Sequence, residues 1–231
     1  MPETPLVRAD NLTVGYGADV NSRVCPPITV SVAAGEVLAV IGANGTGKST
    51  FLRALAGLLP PLAGTVLAYG RPVDERAAWF RAYTAVLLDE DAYLPALTVR
   101  EHLLLTARGH GVKGVSELVT ALVEEFGLTD RQQAIPSALS SGQRRRLLLS
   151  SVFVRPRKLL LLDEPEQRLD SGMRDRLGQR LVAERSAGGG VVMATHDPAL
   201  VRRAATGAVL LTESKVTLLS ADDGAAAIEA L

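Results

Sequence analysis

An apolar run breaks into a glycine-rich loop and then into lysine, serine and threonine in "LAVIGANGTGKST", Leu38 to Thr50. Gly42, Gly47, Lys48 and Ser49 fit the spacing G-x-x-x-x-G-K-[ST] at the place where a strand gives way to a helix. Glycines let backbone N–H groups curl around an anion with no Cβ in the way, and the start of the helix adds its positive end. Lys48 is placed to reach β- and γ-phosphates, and the Ser49 hydroxyl to ligate Mg²⁺. The loop, with Asn44, Gly45 and Thr50 in its span, therefore reads as a nucleoside triphosphate site. The competing reading is an ordinary glycine-rich turn. The loop alone does not say what becomes of the nucleotide, because many activities share it.

The rest of the chain supplies the α/β context. Short β-type runs occupy residues 6–40, with Pro26, Pro27 and Gly35 as punctuation. "TVLAYG" and "AYTAVLLD" read as further strands. From about residue 90 to 155 the text turns helical, with "TVREHLLLTARG", "SELVTALVEEFGL" and "SGQRRRLLLSSVFV" as three segments and "HGVKG" as a loop. This block interrupts the alternation of strands and helices, so it reads as an inserted subdomain. "KLLLLDEP", "GGVVMATHD", "GAVLLT" and "VTLLS" then resume the β pattern, and "ADDGAAAIEAL" reads as a short helix. A length of 231 residues suits one domain carrying such an insertion.

Two further stretches carry chemistry. Four leucines lead to Asp163 and Glu164, and an acid ending a buried strand stands in the crevice where such sheets bind ligands. Asp163 suits a Mg²⁺ held through water, and Glu164 can orient and activate a water; the plainer reading is that both merely cap the strand. In "LSSGQRRR", Ser140 is a good N-cap and Gln143 falls at the capping-box position. Taken alone, that stretch is a well-capped helix with a solvated arginine face.

Composition excludes several alternatives. The 25 basic and 25 acidic residues cancel and form no basic stripe, which disfavours direct nucleic-acid binding by electrostatics. Cys25 is the single cysteine, so an internal disulfide and a cysteine-cluster zinc site are ruled out. The start lacks the pattern of a secretory signal, and no apolar run approaches the ~20 residues that span a bilayer. A cytoplasmic protein is expected, one that reaches a membrane only through another chain.

"IGANGTGKST", "LSSGQRRR", "LLLLDEP", "RLD" and "ATHD" stand in the order expected of an ABC-type ATPase, and the chain resembles the ATP-binding subunit of an ABC transporter over nearly its whole length. The resemblance implies a P-loop (RecA-like) core with an antiparallel β-subdomain and an inserted helical signature subdomain. It implies ATP and Mg²⁺ as ligands, and a second copy as partner in a head-to-tail dimer. Ser140, Gly142 and Gln143 of one copy would then meet the ATP held by the phosphate loop of the other. It places Tyr16 against adenine, although a strand-end tyrosine with a wet hydroxyl is the alternative. His196 resembles the switch histidine that contacts the γ-phosphate, and Asp170 the loop coupling the two sites. The partner energised would be a separate transmembrane permease on the inner face of the cell membrane.

The chain departs from the family pattern at three places. Ser141 stands where the signature usually has glycine, crowding the ATP or tolerated there. Asp89 stands where the family places a glutamine, so that Asp89 rather than an amide would face Mg²⁺ and water, with slow hydrolysis as one consequence. "PEQRL" is unusual, and its Arg168 is either an interface cation or solvated. The acidic run Asp89, Glu90, Asp91 is expected to receive a neutral or basic coupling helix of the permease. The leading expectation is a transport motor, with export weakly favoured. The runner-up is an ABC ATPase that regulates a membrane partner, or acts on DNA or ribosomes, without moving solute.

Overall fold

The computed structural model describes residues 4–17, 19–88 and 92–231. Strands β1 (Val7–Thr13) and β2 (Ile28–Val32) precede β3 (Val37–Ile41), which runs through the glycine loop into α1 (Lys48–Leu55). Next come β4 (Ala63–Ala68), β5 (Arg71–Pro72), α2 (Ala78–Tyr83) and β6 (Thr84–Leu87). The helical block holds α3 (Val99–Gly109), α4 (Val115–Glu125) and α5 (Ser141–Phe153). After it follow β7 (Leu159–Asp163), α6 (Ser171–Ser186), β8 (Gly190–Ala194), α7 (Pro198–Ala204), β9 (Gly207–Leu211), β10 (Val216–Leu219) and α8 (Ala221–Glu229).

The strands form two sheets. One is antiparallel, in the order β2-β1-β4-β5; the other runs β10-β9-β3-β8-β7-β6 and is parallel except at its β10 edge. The α/β expectation holds, and β6 and β7 pair directly although the whole helical block separates them in sequence. The block is thus an insertion at one edge of the sheet.

Why β7 reads as four consecutive leucines follows from its two faces. Leu160 and Leu162 join the core with α3, α4 and α5, whereas Leu159 and Leu161 join the core with α1 and the antiparallel sheet. Side chains alternate across a strand, so only a strand covered on both sides is apolar throughout. Each buried leucine contributes roughly 1.5–3 kcal/mol. The same division separates Val191 and Met193 from Val192 and Ala194 on β8.

Three neighbouring parallel strands, β3, β8 and β7, end in register: Val40 pairs with Ala194, and Ala194 with Asp163. Their C-terminal ends therefore open on one crevice, the usual ligand-binding edge of such a sheet.

The helical block carries a pH-sensitive contact. His102 on α3 is buried, and its Nδ1 accepts a long 3.4 Å bond from the Leu94 N–H. Burial lowers its pKa from the ordinary 6.5. The unfolded chain thus binds a proton at a pH where the folded chain does not, and stability falls as pH drops below about 6.5. Burial shifts His110 and His196 in the same direction. Melting temperature is expected to fall from pH 7 to pH 5, and less steeply in His102→Gln. An identical slope in the variant would remove His102 from this account.

Candidate functional site

The phosphate loop is shaped by Gly42 and Gly47, whose positive φ other residues adopt only with strain. Gly42 has φ 146°, and a Cβ there would lie 2.3 Å from the Leu211 carbonyl oxygen. Gly47, at φ 94°, is the N-cap of α1, and no side chain caps that helix. Its first-turn N–H groups are left to an anion, as helix starts require. Asn44 and Gly45 are exposed at the tip, and the Thr46 hydroxyl donates to the Ala43 carbonyl at 2.9 Å.

Lys48 is buried, and its Nζ donates to the carbonyls of Gly42 at 2.9 Å and Ala43 at 3.0 Å. Burial lowers its pKa, while the charges of Glu164 and Asp163 oppose that shift. A buried ammonium folded back on its own loop is answered by a polyphosphate, so the residues fit the triphosphate expected from the sequence. Ser49 is half-buried beside it, in the first turn of α1. Thr50 is buried and its hydroxyl lies 3.4 Å from the Tyr16 hydroxyl.

Tyr16 is brought there by the segment after β1. The Val24 N–H donates to the Val14 carbonyl at 3.0 Å, and a Cβ at Gly15 would meet the Ser22 carbonyl oxygen at 2.1 Å. The segment therefore closes on itself, and Val24 packs against Gly47. The Tyr16 ring stays 64% exposed beside the loop, available to a stacking partner. Cys25, next to Val24, is buried with its thiol pushed up to about 11, and it carries no chemistry.

Across the crevice, Asp163 ends β7 buried, and Glu164 follows with its backbone at φ 44°. His196 lies just beyond β8, its Nε2 3.5 Å from Glu164 Oε1, close but long for a hydrogen bond. Burial foremost, then the charge of Lys48, lowers the His196 pKa, and Glu164 and Asp163 oppose it. Lys48, Asp163, Glu164 and His196 thus form one electrostatic group. Among the described residues no three His, Cys, Asp or Glu side chains converge as a metal cage. A cation at Ser49 and Asp163 would take its remaining ligands from phosphate and water, as Mg²⁺ commonly does.

The signature stretch forms the capping box its spacing implies. Ser140 accepts from the Gln143 N–H at 3.2 Å, and the Gln143 side chain accepts from the Ser140 N–H at 3.0 Å. Ser140 and Ser141 are exposed at the start of α5, and the helical backbone accommodates Ser141.

The arginines differ from the solvated face the sequence suggested. Arg145 is buried and donates to the Asp163 carbonyl at 2.5 Å and the Glu164 carbonyl at 2.6 Å. Arg146 pairs with Asp170, which also caps α6 through the Met173 N–H at 2.9 Å. Helix α5 is therefore tied to the end of β7 and to Asp170 by its own cations. Sequence reasoning missed Arg145 because a triple arginine at a helix start looks like surface; its place three and four residues before Leu148 and Leu149, both buried, was the available signal.

Gly142 has an intramolecular reason of its own. A Cβ there would sit 2.8 Å from the Arg168 carbonyl oxygen, which is backbone and yields little. Gly142→Ala is expected to lose roughly 1–3 kcal/mol of stability, read as a lower denaturant midpoint. An unchanged midpoint would mean that the 168 turn moves freely. Asp89, with Glu90 and Asp91, lies outside the described residues.

Known proteins resemble the chain in sequence and in fold. The sequence profile described as ABC transporter matches residues 25–167. The Nod factor export ATP-binding protein I of Paraburkholderia xenovorans is 34% identical over 85% of this chain, a match that spans 64% of that relative's length. The cytochrome c biogenesis ATP-binding export protein CcmA of Rhodopseudomonas palustris is 40% identical over 72% of this chain and 80% of its own. A solved structure titled as the ATP binding subunit of an ABC transporter superposes with a TM-score of 0.85 at 28% identity, covering 94% of this chain and 91% of the other. With its phosphate loop, acid-ended β7 and serine-capped α5 in the family order, the chain belongs to the ABC transporter family, as one of its ATP-binding subunits.

Proposed function

We propose that the chain, as one ABC-type nucleotide-binding domain over residues 1–231, hydrolyses Mg-ATP in a head-to-tail dimer of two copies and thereby drives a separate transmembrane permease. The observation that carries this reading is the crevice at the ends of β3, β8 and β7, where Lys48, His196 and the pair Asp163–Glu164 meet. Lys48 and the loop N–H groups, from Gly42 to Thr50, hold the phosphates, and Tyr16 stacks on the adenine. Ser49 and Asp163, with Asp89, hold Mg²⁺, which would neutralise charge developing on the phosphates. Glu164 takes the proton of the attacking water as general base. His196, kept neutral by its surroundings, donates to the γ-phosphate. Ser140 and Gly142 reach the ATP of the other copy, Gln143 holds that helix start, and Asp170 links the two sites.

Export is the direction favoured, because both relatives named above are described as export ATP-binding proteins. One is described for Nod factor export and the other for cytochrome c biogenesis, and cargo selection is assigned to the permease. Among the described residues no helix is long and apolar enough to cross a membrane. In this reading, attachment to the inner face of the membrane runs through the permease.

The test is affinity purification of Glu164→Gln from its native cells with ATP and Mg²⁺, followed by mass spectrometry. A stoichiometric polytopic membrane protein is expected. Recovery of ribosomal or DNA-associated proteins alone would replace this reading, and a membrane partner without ATP-dependent solute flux on reconstitution would make the chain a regulator.

A further inference from the structure

The unusual stretch between Pro165 and Leu169 is the part of the site that the proposed mechanism leaves unused. Glu166 is buried at 7% exposure, an uncommon place for a carboxylate. Its Oε1 accepts from the Thr195 hydroxyl at 2.6 Å and from the His196 N–H at 3.0 Å. Thr195 in turn accepts from the Asp197 N–H at 3.0 Å. The turn between β8 and α7, which carries His196, is thus tied to one carboxylate oxygen in addition to the Thr195 N–H bond to the Val40 carbonyl at 3.2 Å.

Gln167 works from the other side. Its amide donates to Glu164 Oε2 at 3.0 Å, leaving Oε1 as the oxygen that faces His196. The turn that presents these two residues is held between Glu164 at φ 44° and Arg168 at φ 64°. Such left-handed backbone at non-glycine residues costs on the order of 1–3 kcal/mol each and persists only where surrounding contacts determine it. Here the contacts are the bonds from Arg145 to the carbonyls of Asp163 and Glu164, the Gln167 N–H to the Glu164 carbonyl at 3.0 Å, and the Leu169 N–H to the Glu166 carbonyl at 3.1 Å.

We infer that Glu166 and Gln167 are positioning residues for hydrolysis: Glu166 anchors the backbone of His196, Gln167 orients the carboxylate of Glu164, and together they fix the approach of those two side chains. The inference rests on the ATPase reading. The side-chain hydrogen bonds of both residues go to Glu164, Thr195 and His196 rather than to the phosphate loop, so binding of the nucleotide is left to Lys48 and its neighbours. The clamp acts on kcat and leaves affinity alone, because sub-ångström placement of a general base matters most at the reacting atoms.

The test uses the full chain with Mg-ATP. Glu166→Ala is expected to lower kcat by roughly tenfold or more with ATP affinity within about twofold of the parent. Glu166→Gln keeps an amide oxygen that accepts both bonds, and its kcat is expected within about threefold of the parent. Gln167→Ala should lower kcat to a lesser degree. In a His196→Ala background, Glu166→Ala should add little further loss, because a residue that acts through another is not additive with it.

An unchanged kcat in Glu166→Ala, or a full multiplicative loss on top of His196→Ala, overturns the inference. If Glu166→Ala does not fold, Thr195→Val removes the hydroxyl from the same junction at similar volume, and the same two comparisons apply to it. A parent chain that shows no Mg-ATP hydrolysis sensitive to Glu164→Gln would sink the ATPase reading itself. Normal hydrolysis indifferent to Glu166 sinks only the clamp.

Discussion

Replacing Glu164 by glutamine lowers ATP turnover by about 10²-fold or more and leaves Mg-ATP binding intact, because general acid–base catalysis contributes typically 10²–10⁴-fold. The substitution is close to isosteric. A glutamine oxygen still accepts from the Gln167 amide, which bonds Glu164 Oε2 at 3.0 Å, and the left-handed backbone at position 164 is no harder for glutamine than for glutamate. What is lost is the capacity to take a proton. One negative charge also leaves the neighbourhood of the phosphates, which favours the bound state. Two readouts follow. Single-turnover hydrolysis should be slow, and the variant should elute as a dimer with Mg-ATP and as a monomer without it. A rate equal to the parent's would move the base elsewhere, and His196, 3.5 Å away, would be the first residue to examine.

How much of this was legible in the sequence depends on whether the signal was local. The phosphate loop, the leucine strand and the capping box of α5 are each set by residues within one or two turns, and the structure places them as read. Helix α6 left no such trace. Its buried side is the single line Met173, Leu177, Gly178 and Leu181 in a stretch crowded with charge, so no wide apolar face announces it. Its N-cap Asp170 is visible in the sequence, but the family resemblance assigns that aspartate to the dimer rather than to a helix start. The short β5 and α2 fail for a related reason, since two or six residues carry no period.

The site divides along the same line. Spacing gave Lys48, Asp163 and Glu164, the first where the loop after β3 opens α1 and the other two at the end of the leucine strand, whereas His196 came from the family resemblance. Neither gave Arg145, Glu166 or Gln167. Their roles arise from pairs 18 to 30 residues apart, or from a turn with positive φ that sequence alone does not specify. An exposed charged residue and a buried one look alike in a one-dimensional text; only the folded neighbours of Glu166, Thr195 and the His196 N–H, distinguish them.

Ser140 joins both kinds of information, and one substitution separates them. Its side chain caps α5 through the Gln143 N–H, so Ser140→Ala loses about 1 kcal/mol of stability for that reason alone. A drop in activity in that variant would therefore not discriminate a cap from a nucleotide contact. Ser140→Asp does. Aspartate caps helices as well as serine and favours the positive helix start, so folding stability should stay at or above the parent's. If Ser140 meets a γ-phosphate across the dimer, however, the new carboxylate faces a polyanion. Two unit charges about 4 Å apart repel by roughly 1 kcal/mol in water and about 4 kcal/mol at the effective dielectric of a protein surface. ATP-dependent dimerisation, and with it steady-state hydrolysis, should fall by about 10²-fold or more, while ATP binding to the single copy at Lys48 is untouched. The decisive comparison is denaturant midpoint against turnover in the same preparation. A stable Ser140→Asp protein that turns over ATP at the parent rate would leave Ser140 as a helix cap and nothing more, and the head-to-tail arrangement would lose its main residue.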